Sequence, residues 1–342
     1  MRQWLLSLVA LAALSCGQTF NAYAATAEDH AQAASRGLVG TPAPRLTLKT
    51  VDGQRIVLSE LYGRKAVYLK FWATWCVPCI KQMPHFEQTY QKAGPELAVI
   101  AINAGFNDTL VDVQEFRKKH GITMPMVIDD GQLGEAFNLR VTPQHVIIGR
   151  DGRIQYVGHF ADERLEAALV AARTAAPISV STAVVKKNEA AQYKIGDSVA
   201  NLSAITVDGA TFKVLEPATK RPTVLVFLSP WCESYLSTSR PGLSASCRSV
   251  REHVEQQAKG SSARWLGVAS GIWASKDDVR DYRKQYNVGI PITLDESGEL
   301  FRSFRVMNVP TLVIIDDQGR VARRIEGSDA QGLAELKAGL SM

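Results

Sequence analysis

A chain of 342 residues is longer than one typical domain and leaves room for roughly two or three. Its 46% hydrophobic and 21% charged residues suit a soluble globular protein in which each half buries a core, which argues against a disordered chain. The net charge of +5 is scattered without a long Lys/Arg block, so no nucleic-acid partner is expected.

The N-terminus reads as an export signal. Arg2 precedes an apolar run from Trp4 to Leu14, and Ala22-Tyr23-Ala24 supplies a small-x-small cleavage pattern. The run falls short of the about 20 apolar residues that a membrane span needs. Residues 1–24 are therefore expected to be a signal peptide, and loss of Arg2 leaves a mature charge of 5 − 1 = +4. Leu14-Ser15-Cys16-Gly17 resembles a lipoprotein cleavage box, but Ala13 stands where Leu is usual. Lipid anchoring through Cys16 is thus the second reading, behind a soluble, periplasmic or otherwise exported protein. The remaining cysteines, Cys76, Cys79, Cys232 and Cys247, form an even set, which favours pairing in an oxidising compartment.

Residues 25–37 are Ala-rich and polar without an apolar period, so a flexible lead-in is expected. A first domain is expected over residues 38–173. Short strands at Leu46–Leu48 and Ile56–Leu58 flank the Asp52-Gly53 turn, and Val67–Trp72 reads as a central buried strand. Ile80, Met83, Phe86 and Tyr90 recur at helical spacing, with Pro84 as a kink. Leu97–Ile102 is a second buried strand, and Val113, Phe116 and the basic run to His120 predict a helix ending at Gly121. Met126–Ile128 is extended and Leu133–Leu139 a short helix. His145–Ile148 and Ile154–Val157 flank Asp151-Gly152 as a hairpin, before a last helix over Leu165–Ala172. This order implies a mixed sheet with helices on both faces.

Residues 174–194 have little pattern and read as a linker. Then the first unit begins again over 195–342. Gly40, Thr50-Val51-Asp52-Gly53 and Trp75-Cys76 recur as Gly196, Thr206-Val207-Asp208-Gly209 and Trp231-Cys232, all displaced by 156. After Cys232 the displacement becomes 168: Cys79, His85, Glu87 and Gln88 match Cys247, His253, Glu255 and Gln256. Self-similarity at fixed offset means two copies of one fold. The second copy keeps both cysteines but inserts 168 − 156 = 12 residues between them, with a long loop expected from Glu233 to Ser246.

Cys76-Val77-Pro78-Cys79 carries the clearest chemistry. A strand delivers it to a helix start, where free N–H groups and the helix dipole stabilise a thiolate. Cys76 is expected to be the exposed nucleophile and Cys79, more buried, the resolving thiol. A zinc site would need further Cys or His ligands, and none lies nearby in sequence. The spacing calls for no cofactor. His85 and His253 are read as surface or packing residues.

At Phe71-Trp72-Ala73-Thr74-Trp75-Cys76-Val77-Pro78-Cys79 the chain resembles the exported thiol–disulfide oxidoreductases of TlpA/ResA type, which have a thioredoxin-like fold. The resemblance covers about 38–173 and, more faintly, 193–340. It implies an α/β architecture of tandem thioredoxin-like domains, each a mixed central sheet flanked by helices. It also implies that Thr142-Pro143 is a cis-proline loop presenting backbone to substrate, with Val309-Pro310 as its counterpart, and that Trp75 and Pro78 support the site. Two departures stand out. Where thioredoxins proper place a carboxylate six residues before the first cysteine, this chain has Lys70, and Val226 in the second copy. Val141-Thr142-Pro143-Gln144 also lacks the acidic signature of cytochrome c maturation thioredoxins.

Lys70 has two possible roles. Either a buried ammonium favours the Cys76 thiolate or loses its own proton, or the side chain snorkels to the surface. Cys232 and Cys247 are either a stabilising disulfide, whose loop closure would be worth about 3 kcal/mol, or a second redox pair. The function expected is reduction or isomerisation of disulfides in exported proteins, since Val77-Pro78 lacks the charge of a strongly oxidising site. Electrons would come from a membrane thiol donor. Two rivals stand beside this reading: a partner-binding or chaperone scaffold with structural disulfides, and a Cu(I) carrier.

Overall fold

In this computed structural model the described residues are 18–175, 192–199 and 202–327. Cys16, most of the expected signal segment and most of the expected linker lie outside them.

The first strong apolar run sets the frame. Helix α1 (Gln18–Ser35), strands β1 (Thr47–Lys49) and β2 (Arg55–Val57) and the short α2 (Leu58–Leu61) precede β3 (Ala66–Trp72). All seven residues of β3 are buried, because the strand is covered on both faces. The chain continues through α3 (Val77–Gln91), β4 (Leu97–Asn103), α4 (Leu110–His120), β5 (Met126–Ile128), α5 (Gln132–Ala136), β6 (Gln144–Ile148), β7 (Ile154–Gly158) and α6 (Glu163–Thr174). The sheet order is β5-β4-β3-β6-β7, with β3, β4 and β5 parallel and β6 and β7 antiparallel to their neighbours. Alternation along β3 sorts its side chains. Tyr68 and Trp72 join the core under α3 with Cys79, Met83 and Phe86, while Val67, Leu69 and Phe71 join Leu58, Leu133 and Phe137 on the opposite face. Gly121 ends α4 in the left-handed conformation that glycine adopts without penalty.

The second unit repeats this plan. It comprises β8 (Ser203–Ile205), β9 (Thr211–Lys213), β10 (Thr223–Leu228), α7 (Cys232–Ser239), α8 (Pro241–Gly260), β11 (Arg264–Ser270), α9 (Lys276–Tyr286), β12 (Ile292–Asp295), α10 (Glu299–Ser303), β13 (Thr311–Ile315) and β14 (Val321–Glu326). Its sheet order, β12-β11-β10-β13-β14, is the same arrangement as the first. The bridges Pro42↔Arg153 and Thr50↔Val127 recur as Ser198↔Arg320 and Thr206↔Thr293. The internal repeat is thus a repeat of topology.

Two expectations need correction. The lead-in over 25–37 is largely helical rather than flexible: α1 runs through Ser35 and packs against β7. Ala27, Ala31 and Ala34 are buried at spacings of four and three, a helical face made entirely of small residues. Such a face allows close approach without any large apolar residue to announce it. The stretch from Glu233 to Ser246, expected as a loop, instead forms α7 and the start of α8, two helices packed on one another. Pro241 opens α8, where its missing N–H costs nothing. No helix among the described residues is long and apolar enough to cross a membrane.

Candidate active site

Strand β3 hands the chain to α3 through Cys76, which caps the helix with extended backbone angles. Its sulfur accepts the Cys79 N–H at 3.2 Å. Pro78 in the first turn has no N–H and a preset φ, so that turn is ordered around a donor aimed at Cys76. The cysteines form a disulfide with Cα atoms 5.2 Å apart. Cys76 Sγ also lies 3.4 Å from the Thr142 carbonyl oxygen, and the Thr142–Pro143 peptide is cis, as is Val309–Pro310. Trp75, Cys76, Pro78, Cys79, Thr142 and Pro143 therefore meet in one place. Cys76 differs from expectation in one respect: it is wholly buried, as Cys79 is.

Lys70 does not snorkel. It points to the α3 side of β3, between Tyr68 and Trp72, and is wholly buried. Its ammonium nitrogen has no hydrogen-bond partner among the described residues and lies 5.2 Å from the centre of the Phe86 ring. Burial alone brings its pKa down from 10.5 to about 7. Val226, its counterpart in the second unit, is an ordinary core residue.

Beside Lys70 runs a hydrogen-bonded chain that the sequence reading missed. His145 pairs with Lys70 across β6 and β3. Gln82 Nε2 donates to the His159 carbonyl at 3.2 Å, which turns Gln82 Oε1 toward His145. That oxygen can only accept, so His145 carries its proton on Nε2 and accepts from the Tyr68 hydroxyl at Nδ1, 2.8 Å away. His159 Nδ1 donates to the Pro143 carbonyl at 2.8 Å and so holds the loop against the cysteines. Burial pushes both imidazole pKa values down, well down for His145. Of the six histidines, His145 alone carried a sign of burial in the sequence, its place at the start of an apolar run, and His159 carried none; the pairing of His145 with Lys70 comes only from the sheet register.

The face above Cys76 is covered by the second unit. Trp75 donates its indole N–H to the Phe106 carbonyl at 2.8 Å, and its ring lies 4.9 Å from that of Trp231. The Tyr235 hydroxyl accepts the Val77 N–H at 3.0 Å. Asp108, a buried carboxylate, accepts from Thr74 N–H at 2.8 Å, Thr74 Oγ1 at 2.5 Å and Asn103 Nδ2 at 2.7 Å. Burial raises its pKa against those hydrogen bonds and Arg240. Gly105 and Gly271, displaced by 166, were the sequence trace of these matching loops. In Gly105, with φ of +68°, an added Cβ would meet the Asp129 carbonyl oxygen at 2.1 Å, so the loop passes there only as glycine.

Cys232 and Cys247 form a disulfide with Cα atoms 6.3 Å apart. It joins α7 to α8 and does not cap one helix turn, and Cys232 Sγ lies 3.9 Å from the Leu243 carbonyl oxygen. His85 sits at the surface against Glu166, at 2.8 Å.

Residues 39–157 match the profile of the AhpC/TSA family, and residues 194–340 match that of Redoxin. The thiol–disulfide oxidoreductase ResA of Halalkalibacterium halodurans is 35% identical over 156 residues, 45% of this chain and 84% of that protein. ResA of Bacillus thuringiensis is 33% identical over 132 residues, 37% of this chain and 75% of that protein. Among solved structures, a thioredoxin-family thiol:disulfide interchange protein from Chlorobium tepidum TLS aligns at 28% identity with a TM-score of 0.34. It covers 39% of this chain and 96% of its own.

The lowered pKa of Lys70 has a measurable consequence for stability. The unfolded chain keeps this ammonium protonated up to about pH 10.5, whereas the folded protein releases the proton near pH 7. Between those values the unfolded state binds more protons, so native stability rises with pH. Wild type is expected to gain on Lys70→Met by about 1 kcal/mol per pH unit between about pH 7.5 and 9.5. Urea unfolding of both proteins across that range measures it; parallel stability curves would show that Lys70 is not buried as a neutral amine.

Proposed function

From the premise that this chain belongs to the ResA family of thiol–disulfide oxidoreductases, we propose that it is exported and reduces or isomerises disulfides of exported proteins. The observation that carries the reading is the cap of α3: Cys76 at the helix start, with the Cys79 N–H on its sulfur and the Thr142 carbonyl beside it. After reduction, that N–H and the positive end of α3 favour a Cys76 thiolate. The thiolate attacks one sulfur of the substrate disulfide. A mixed disulfide forms and the other substrate sulfur leaves as a thiolate. Cys79 then attacks Cys76 Sγ, closing the Cys76–Cys79 disulfide and releasing the second substrate thiol. Two electrons pass to the substrate, and a thiol donor at the membrane restores the dithiol.

For the second step Cys79 must lose a proton in a dry core. Lys70 is the base we assign. It lies on the β3 face turned toward the side of α3 that carries Cys79, Met83 and Phe86, and as a neutral amine it can accept that proton. The absence of charge in Val77-Pro78 supports the reducing direction. Thr142-Pro143 offers backbone to an extended substrate, and His159 fixes that loop. The Cys232–Cys247 pair is read as structural, since it ties two helices together rather than capping one.

Insulin reduction with dithiothreitol as donor tests these roles. Cys76→Ser is expected to abolish turnover above the uncatalysed rate, while Cys232→Ser retains it; undiminished turnover in Cys76→Ser would sink the reading. Lys70→Met is expected to lower turnover about a hundredfold and to remove the titration near pH 7 from its pH profile. An unchanged profile in Lys70→Met would assign the proton transfer elsewhere.

A further inference from the structure

Thiol–disulfide exchange needs an approach to the attacking sulfur, and in this molecule there is none: Cys76 is wholly buried. Part of what covers it is the segment that the second copy has and the first lacks. The first copy separates its cysteines by two residues; the second places α7 and the start of α8 between Cys232 and Cys247. From α7 the Tyr235 hydroxyl takes the Val77 N–H, at the head of the helix that Cys76 caps. Trp231, the residue before α7, lies against Trp75. Arg240, at the junction of α7 and α8, reaches Thr74 Oγ1 at 2.5 Å, Asp108 Oδ1 at 3.1 Å and Asp112 Oδ1 at 3.4 Å. From the loop after β11, the Trp273 indole donates to Thr142 Oγ1 at 3.0 Å, on the residue before Pro143.

We propose that the helical insert between Cys232 and Cys247 is a latch that holds the second domain over Cys76, so that the redox pair meets a protein disulfide only after the domains part. The proposal rests on the reading of Cys76 as the nucleophile. Two residues of the latch, Tyr235 and Arg240, make polar contacts with the first domain. Arg240 remains partly open to solvent, with 29% of its side chain exposed. It is also the cation set against Asp108, whose side chain is completely buried. Removing Arg240 leaves that carboxylate its hydrogen bonds from Thr74 and Asn103 but takes away the Arg240 charge in the closed state, whereas water reaches it in the open one, so the balance moves toward opening. The disulfide between α7 and α8 keeps Tyr235 and Arg240 on one rigid hairpin. The same pair of helices that removed the compact redox spacing from the second copy therefore guards the compact spacing of the first.

The test uses the full chain at a dithiothreitol concentration at which peptide mass mapping finds the Cys76–Cys79 pair reduced and the Cys232–Cys247 disulfide intact, and follows modification of Cys76 by a bulky maleimide–polyethylene glycol, located by the same mapping. Arg240→Glu is expected to raise the rate at Cys76 about tenfold over wild type, while Arg248→Ala, at an exposed position on α8, leaves it unchanged. Adding Asp112→Arg to Arg240→Glu restores an opposite charge and is expected to slow modification again, which a merely misfolded variant would not do. Equal rates in wild type and Arg240→Glu, or a rise that Asp112→Arg does not reverse, would overturn the latch. Insulin reduction measured alongside separates the two proposals. Cys76-dependent turnover with equal labelling rates removes the latch alone; gated labelling without turnover in any variant removes the functional reading and leaves the latch standing.

Discussion

The first turn of an α-helix carries N–H groups that the helix itself cannot satisfy, and in this protein that end is given to a sulfur. Cys76 occupies the cap, Pro78 removes one competing donor, and the Cys79 N–H turns onto Cys76 Sγ. Everything around the pair serves to hold this geometry. β3 is buried along its whole length, so the strand cannot slide without exposing Phe71 or Trp72. On the other side, His159 grips the Pro143 carbonyl and sets the loop whose Thr142 oxygen faces the sulfur.

A second constraint comes from duplication. Trp75 and Trp231 are equivalent positions of the two copies, and their rings pack together at a tilt of 31°; each donates its indole N–H to a carbonyl of the equivalent loop, Phe106 in one unit and Ile272 in the other. The loops then cross. Asn107 accepts the Val309 N–H beside the second cis-proline at 2.8 Å, while Trp273 reaches Thr142 beside the first. The two units thus meet through the same faces, and the core runs without interruption from Cys79 and Phe106 into Trp231 and Phe301. In the first unit that shared face carries the Cys76–Cys79 disulfide. In the second, the insert has filled it with helix.

Much of this was legible in the sequence because it rests on local rules. The buried strand into Cys76, the helical spacing of Met83 and Phe86, the hairpin at Asp151-Gly152 and the repeat at a displacement of 156 all leave marks within a few residues or at a fixed offset. The failures have physical causes too. Ala27, Ala31 and Ala34 form a helix face without bulk, so hydropathy gives no period. Helices α7 and α8 are built from Ser-, Pro- and Gly-containing sequence that propensity reads as loop, yet packing of Leu236 and Val250 and the Cys232–Cys247 bond override it. The burial of Cys76 could not be read at all. Part of it is made by Trp231 and Tyr235, 231 − 76 = 155 and 235 − 76 = 159 residues downstream, and only the relative placement of the domains brings them over the sulfur. Lys70 lay between these cases: its position was evident, but only the fold shows that its amine has no way out to water.

In the function proposed for this protein, the Cys76 sulfur is the group that joins covalently to a substrate. Cys79→Ser leaves that sulfur without its resolving partner, so an adduct, once formed, should persist. Incubating reduced Cys79→Ser with a disulfide-bearing protein is expected to give a dithiothreitol-sensitive species mapping to Cys76 by mass spectrometry, and Cys76→Ser/Cys79→Ser to give none. An adduct that forms through Cys232 or Cys247 instead, or no adduct at Cys76, would contradict the account.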